Sequence, residues 1–274
     1  MKKLFIEFFG TYFLVLIIGL SSGNPIAVGF GLMVLVYTGA HISGAHYNPA
    51  VTLALFLQKE ISALDSVKYV ISQIVGSTLA ALSIYLMNTS MQVQPVLGDS
   101  VYPIFFSEII FTFLLVFVIL NVATHPNLKG NSFYGLAIGL TVMIGIFSVG
   151  PISGAVFNPA VSLGPSIIDL ITSEGVSHYF TWYYIVFPLI GSILGFLAKY
   201  IGDYLSQITT TVLICITAIL SIILFYNGIT SETYSNYLIY QWVASGNFVV
   251  NWSINIDPLS SIMLVIVSVV SALV

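Results

Sequence analysis

The string Ile-Ser-Gly-Ala-His-Tyr-Asn-Pro-Ala-Val fills residues 42–51, and Ile-Ser-Gly-Ala-Val-Phe-Asn-Pro-Ala-Val fills 152–161. Extended to 42–54 and 152–164, the two segments agree at nine of thirteen positions. Two further pairs keep the same order along the chain. Glu7–Val15 (EFFGTYFLV) matches Glu108–Val116 (EIIFTFLLV), and Gln73–Leu82 (QIVGSTLAAL) matches Pro188–Leu197 (PLIGSILGFL). The offsets are 101, 110 and 115, so only loop lengths differ between the copies. The fold must therefore be one that two copies of a single unit can build.

The solvent of that fold is lipid. Hydrophobic residues make up 58% of the 274 and charged residues 6%, against about 25% charged in a soluble domain. A helix needs roughly 20 apolar residues to cross ~30 Å of hydrocarbon, and eight stretches qualify, near 4–20, 26–41, 67–87, 104–123, 133–150, 181–200, 209–226 and 258–274. Residues 1–23 also have the basic start and apolar stretch of a signal peptide. Glu7 interrupts that stretch, and the same pattern recurs at Glu108, where no signal peptide could lie.

Each repeat holds three spans. An odd number of crossings makes the second copy enter from the opposite side, so the halves are related by a pseudo-two-fold axis in the membrane plane. Equivalent loops then enter from opposite faces and can meet at the centre. Alternating sides places all six basic residues, Lys2, Lys3, Lys59, Lys68, Lys129 and Lys199, on the side of the N-terminus. By the positive-inside rule that side is the cytoplasm, which predicts a multi-pass protein of the cell (inner) membrane.

Asn48 and Asn158 stand where a helix cap is wanted, with Pro49 and Pro159 at the first helical position, where a missing N–H costs nothing. The apolar run from Asn48 to Gln58 is eleven residues, about 16 Å at ~1.5 Å per residue, half of the hydrocarbon core. These are re-entrant half-helices. Irregular backbone at membrane depth is tolerated only inside protein or along a wet cavity, so the Ile-Ser-Gly-Ala stretches are expected to line a path with their carbonyls. Two half-helix N-termini aimed at one point place about half a positive charge each there, which opposes cations. With each asparagine oxygen used as a cap, each NH₂ is expected to be free to donate to a passing solute.

With its paired Asn-Pro-Ala motifs, Asn48-Pro49-Ala50 and Asn158-Pro159-Ala160, the chain over residues 1–201 resembles the major intrinsic protein family, the aquaporins and glycerol facilitators. The resemblance implies an all-α membrane fold, an inverted repeat of six transmembrane helices plus two re-entrant half-helices, with repeat one over about 1–90 and repeat two over about 101–201. It implies a homotetramer and passive passage of water and small neutral solutes. It implies that Glu7 and Glu108 accept backbone N–H bonds from the re-entrant loops without touching solute. Four positions, Val28, Ile146, Ala155 and Val161, correspond to the family's outer constriction. Water-selective members place an aromatic at the first, His at the second and Arg at the last; here all four are apolar, and the chain contains no arginine. A vacuolar plant subgroup also has Val at the last position, which suggests a broad channel passing water with glycerol, urea or ammonia. His41 and His46 are expected to be pore-near packing residues or residues of the cytoplasmic mouth.

Residues 202–274 lie beyond the repeat. Segments YLIYQWVA and FVVNWSINI flank Ser-Gly-Asn, which reads as a β-hairpin on the outer surface between two extra C-terminal transmembrane helices. The end of the chain, from Tyr240, resembles the start of the antiporter-like subunit L of proton-pumping NADH:quinone oxidoreductase. The later helices that carry that subunit's proton-moving residues have no counterpart here, so a truncated, non-pumping relic is expected. An assembly element of that complex's membrane arm is thus the alternative to a channel. No catalytic residue, cofactor, metal site or nucleic-acid partner is expected, since the sequence shows no ligand cluster, nucleophile constellation or phosphate loop.

Overall fold

The computed structural model describes residues 1–89, 91–96, 101–128, 130–172, 175–198, 211, 215, 218–219, 221–223, 225–226, 235–245 and 248–273. The chain divides into two units, Met1–Lys199 and Tyr200–Val274.

In the first unit the regular elements are helices: α1 Lys2–Leu20, α2 Pro25–Ser43, α3 Pro49–Leu57, α4 Ala63–Leu86, α5 Val101–Ile119, α6 Tyr134–Ser153, α7 Pro159–Thr172 and α8 Val176–Leu197. Six of them, α1, α2, α4, α5, α6 and α8, are long and apolar enough to cross a membrane. Their ends differ from the sequence expectation by up to five residues. Asn24 caps α2, its oxygen accepting from the N–H groups of Ile26 and Ala27 at 3.0 and 3.1 Å. Ser62 caps α4 in the same way through Asp65 N–H. Helices α2 and α6 both stop at left-handed glycines, Gly44 and Gly154, each opening the duplicated loop. At the end of α5, a π turn over Leu120–Thr124 extends the span.

Helix α3 has 9 residues and α7 has 14, which gives about 14 and 21 Å of rise, short of the ~30 Å core. Neither is long enough to span that core alone. Packing repeats by halves: α1 lies on α4 and α5 on α8, while α3 crosses to α8, α7 crosses to α4, and α2 meets α6. Two glycines permit the first pair of contacts. A Cβ on Gly76 would strike the Phe8 carbonyl oxygen, and one on Gly191 would sit 2.5 Å from the Ile109 carbonyl oxygen. Phe8 and Ile109 are themselves equivalent at the offset of 101. Beside those glycines, Ser77 Oγ donates to Ala160 O at 2.5 Å and Ser192 Oγ to Ala50 O at 2.6 Å. Each half-helix start is thus tied to a long helix of the other half.

In the second unit, strands β1 Ser235–Ser245 and β2 Phe248–Ile256 pair antiparallel, and helix α9 runs Pro258–Leu273. Asp257 caps α9 by accepting Ser260 N–H at 2.7 Å, and that N–H holds its carboxyl below the usual carboxylate range. The eighth span expected over 258–274 coincides with this helix, whose 16 residues rise about 24 Å. The seventh expected span, 209–226, lies largely outside the described residues.

Candidate functional site

Each duplicated loop is threaded around a buried carboxylate. Glu7 and Glu108 are fully buried. Glu7 Oε1 accepts from Ser43 Oγ at 2.7 Å and from His46 N–H at 3.0 Å, while Oε2 accepts from Tyr47 N–H at 2.8 Å. Glu108 receives Ser153 Oγ at 2.7 Å, Val156 N–H at 3.0 Å and Phe157 N–H at 2.8 Å on the corresponding atoms. The backbone converges on these oxygens because it is left-handed at Gly44, Ala45 and Tyr47 and again at Gly154, Ala155 and Phe157. Successive N–H groups in such a path form a concavity suited to an anion. Non-glycine residues held at positive φ cost about 1–2 kcal/mol each, a cost these bonds offset. Tyrosines close both loops: Tyr69 OH donates to Ser43 O at 2.8 Å and Tyr184 OH to Ser153 O at 2.6 Å.

The asparagines finish each loop and start each half-helix. Asn48 Oδ1 accepts Ala50 N–H at 2.8 Å, and Asn158 Oδ1 accepts Ala160 N–H at 3.0 Å. Pro49, Ala50, Pro159 and Ala160 are buried. The side-chain amides correct one expectation. Asn48 Nδ2 donates to Phe157 O and Asn158 Nδ2 to Tyr47 O, both at 2.9 Å. One hydrogen of each NH₂ is therefore spent on the opposite loop. The cross-bond also locks the two half-helix starts face to face.

A cavity of about 1130 Å³ runs past both asparagines and is lined by Val28, Ile146, Ala155 and Val161. The loop residues Gly44–Tyr47 and Gly154–Phe157 line it too. Among the described residues, the carboxylate and imidazole groups that line it are His41, His46 and Glu60.

Residues 1–200 match the family described as major intrinsic protein. The chain belongs to that family. Nodulin-26 of Glycine max is 37% identical over 212 residues, covering 71% of this chain and 75% of the relative. Glycerol uptake facilitator protein-like 6 of Lactiplantibacillus plantarum is 36% identical over 220 residues, covering 74% and 99%. Among solved structures, the aquaglyceroporin from Plasmodium falciparum covers 75% of this chain and 98% of its own, at a TM-score of 0.66 and 22% identity. Residues 242–274 match the N-terminus of NADH-ubiquinone oxidoreductase (complex I) chain 5. Major intrinsic proteins are membrane channels, not enzymes.

In this major intrinsic protein the candidate pore residues, Asn48, Asn158, Val28, Ile146, Ala155 and Val161, share one cavity, and Glu7 and Glu108 stand behind its loops. His41 and His46 line the cavity as well, but only His46 is buried, with Nδ1 3.1 Å from Thr52 Oγ1 and its ring edge-on to Tyr69. Sequence reading missed the rest of the scaffold. Ser43 and Ser153 sit inside the duplicated string, and Ser77 and Ser192 inside the third matched pair, so their repetition was a usable signal. Tyr69 and Tyr184 lie one turn ahead of that pair at the same offset of 115.

Proposed function

We propose that this chain is a passive channel for water and small neutral solutes such as glycerol, urea or ammonia. The observation that carries the reading is that half-helix starts from both halves meet on one cavity, each presenting an asparagine amide hydrogen where the two helix dipoles converge. A cation there meets a repulsive field, whereas a neutral oxygen finds two donors. The loop N–H groups are engaged by Glu7 and Glu108, which leaves loop carbonyls as acceptors along the path. Val28, Ile146, Ala155 and Val161 form an apolar constriction in this reading, with no guanidinium to narrow it or to replace lost hydration. The Lactiplantibacillus relative carries glycerol uptake in its name, which supports a solute larger than water.

The channel domain is taken as residues 1–201, assembled as a homotetramer, with the N-terminus cytoplasmic because all six lysines fall on that side. For the appended 202–274 segment, the match of residues 242–274 to complex I chain 5 supports a second reading, a non-pumping assembly element. Co-migration with NADH dehydrogenase activity on purification from native membranes would favour it; purification free of that activity would remove it.

The test of the channel is stopped-flow permeability of proteoliposomes to water, urea and glycerol. The parent should conduct all three, and Val161→Arg should cut urea and glycerol flux more than water flux. A parent that passes water and excludes every larger neutral solute would sink the apolar-constriction reading. Asn158→Asp should raise cation leak, and an unchanged leak in folded protein would take Asn158 out of ion exclusion.

A further inference from the structure

The apolar constriction leaves a chemical gap. A solute entering it must shed water, and Val28, Ile146, Ala155 and Val161 can replace none of the lost hydrogen bonds. A polar group is nevertheless close, on a segment outside the repeat. Residues 91–96, after α4, run as non-helical chain along the same cavity, and Met91, Gln92, Val93 and Gln94 line it together with the four constriction residues.

Two features show that this segment is built into place. Val93 is buried, 7% exposed, and its N–H donates to Ser177 Oγ at 3.0 Å. Ser177 is itself fully buried and fixed by donating its N–H to Asp169 Oδ2 at 2.8 Å. Three residues further on, Val96 N–H donates to Ile152 O at 3.2 Å, tying the segment to the start of the second duplicated loop. Val93 is buried, whereas its neighbours Gln92 and Gln94 are both exposed. The Gln94 backbone also passes next to the constriction, since its carbonyl oxygen would lie 3.4 Å from a Cβ on Gly154, the neighbour of Ala155.

We infer that Gln92 and Gln94 are specificity-determining residues at the mouth of the constriction, whose side-chain amides take over hydrogen bonds from a solute's hydration shell. Each amide offers a carbonyl acceptor and an NH₂ donor without net charge. That chemistry suits neutral solutes carrying both functions, such as urea and polyols, and draws in neither cations nor anions. Water gains less, because it is small enough to pass with fewer of its bonds replaced. The inference rests on the channel reading above and names the groups that give its constriction a preference.

The test is flux through full-length protein in proteoliposomes. Replacing both glutamines by leucine keeps their bulk and removes the amides; urea and glycerol permeability should fall about fivefold, the equivalent of one ordinary hydrogen bond. Water permeability should stay within about twofold. Ser177→Ala, which keeps both glutamines but frees the segment at Val93, should give a smaller loss with the same solute order. Folding is checked by elution profile and by water flux. If the leucine double variant passes urea and glycerol like the parent while Val161→Arg still blocks them, the glutamine role is overturned and the channel reading stands. If the parent passes water but no larger solute, the apolar-constriction reading on which the inference rests fails; if it passes neither, the channel reading fails.

Discussion

The two buried glutamates hold equivalent loops by unequal means. Both receive one serine hydroxyl and two backbone N–H groups, in the same order and at distances that agree within 0.1 Å. Glu7 has a further donor: Gln73 Nε2 reaches Oε2 at 2.8 Å and Thr52 Oγ1 at 3.0 Å, bridging the carboxylate to the half-helix α3. At the offset of 115 the residue equivalent to Gln73 is Pro188, which has no donor at all. Thr52 corresponds to Ser162, whose buried hydroxyl has no hydrogen-bond partner. What both halves share is the set of contacts that dictates the path of the loop backbone. What differs is a side-chain bridge that adds strength without changing that path.

The largest effect should come from the shared contacts. Glu7→Ala and Glu108→Ala each leave two backbone N–H groups buried without an acceptor, a penalty of about 1–3 kcal/mol per group. Both should destabilise the folded channel by about 3 kcal/mol or more, and Glu7→Ala should be the worse because Gln73 is stranded too. Thermal midpoints in detergent measure this. Equal losses would mean that the Gln73 bridge carries no weight.

Gln73→Leu tests the bridge directly. It removes two hydrogen bonds from buried groups and should cost about 2 kcal/mol, while leaving the path of the first loop intact. Water flux at a temperature where the variant is fully folded should therefore be close to the parent's. A large loss of flux in folded protein would show that the bridge sets the loop's path after all.

Asn48→Ala and Asn158→Ala should instead be equal, since each loses one cap and one cross-bond of 2.9 Å. About 1–2 kcal/mol is expected from each. Unequal losses would show that the asymmetry reaches the centre of the pore.

Duplication is what made the site legible. A lone Asn-Pro-Ala is only a helix start, but Asn48 and Asn158 inside matched strings, at matched places in an inverted repeat, specify two opposed half-helices. Glu7 and Glu108 were readable as a pair because intramembrane carboxylates are costly and these two recur in register. The cross-bonds of Asn48 and Asn158 to Phe157 O and Tyr47 O were not readable. They depend on how closely two loops 110 residues apart approach, and no local pattern records that distance. Gln92 and Gln94 escaped notice for the opposite reason: they lie in the linker between repeats, where nothing repeats. The length of α7 was hidden too, because its polar residues Ser166 and Asp169 are buried and bonded to Thr181 and Ser177, so the helix runs past the end of its apolar run.

The smallest expected effect is a gain, and it would transfer the first half's bridge into the second. One turn before Gln73 stands Tyr69 and one turn after it Ser77; Pro188 is flanked by Tyr184 and Ser192 in the same way. Both tyrosines bond the serine carbonyl of their own loop, and both serines bond the alanine carbonyl of the opposite half-helix. Position 188 is therefore the repeat equivalent of 73, and by that equivalence a side chain there is expected to reach Glu108 and Ser162. Pro188→Gln should let the new amide donate to Glu108 and satisfy the Ser162 hydroxyl. Removing a proline from inside a helix has its own effect, because it restores a backbone N–H. Pro188→Ala supplies that baseline, and the glutamine variant should be more stable than the alanine variant by about 1 kcal/mol. Adding Ser162→Ala to the glutamine variant should erase part of the gain while leaving the alanine variant little changed. If glutamine and alanine at 188 give the same thermal midpoint, the two carboxylate sites differ in more than this one side chain, and the bridge cannot be moved between halves.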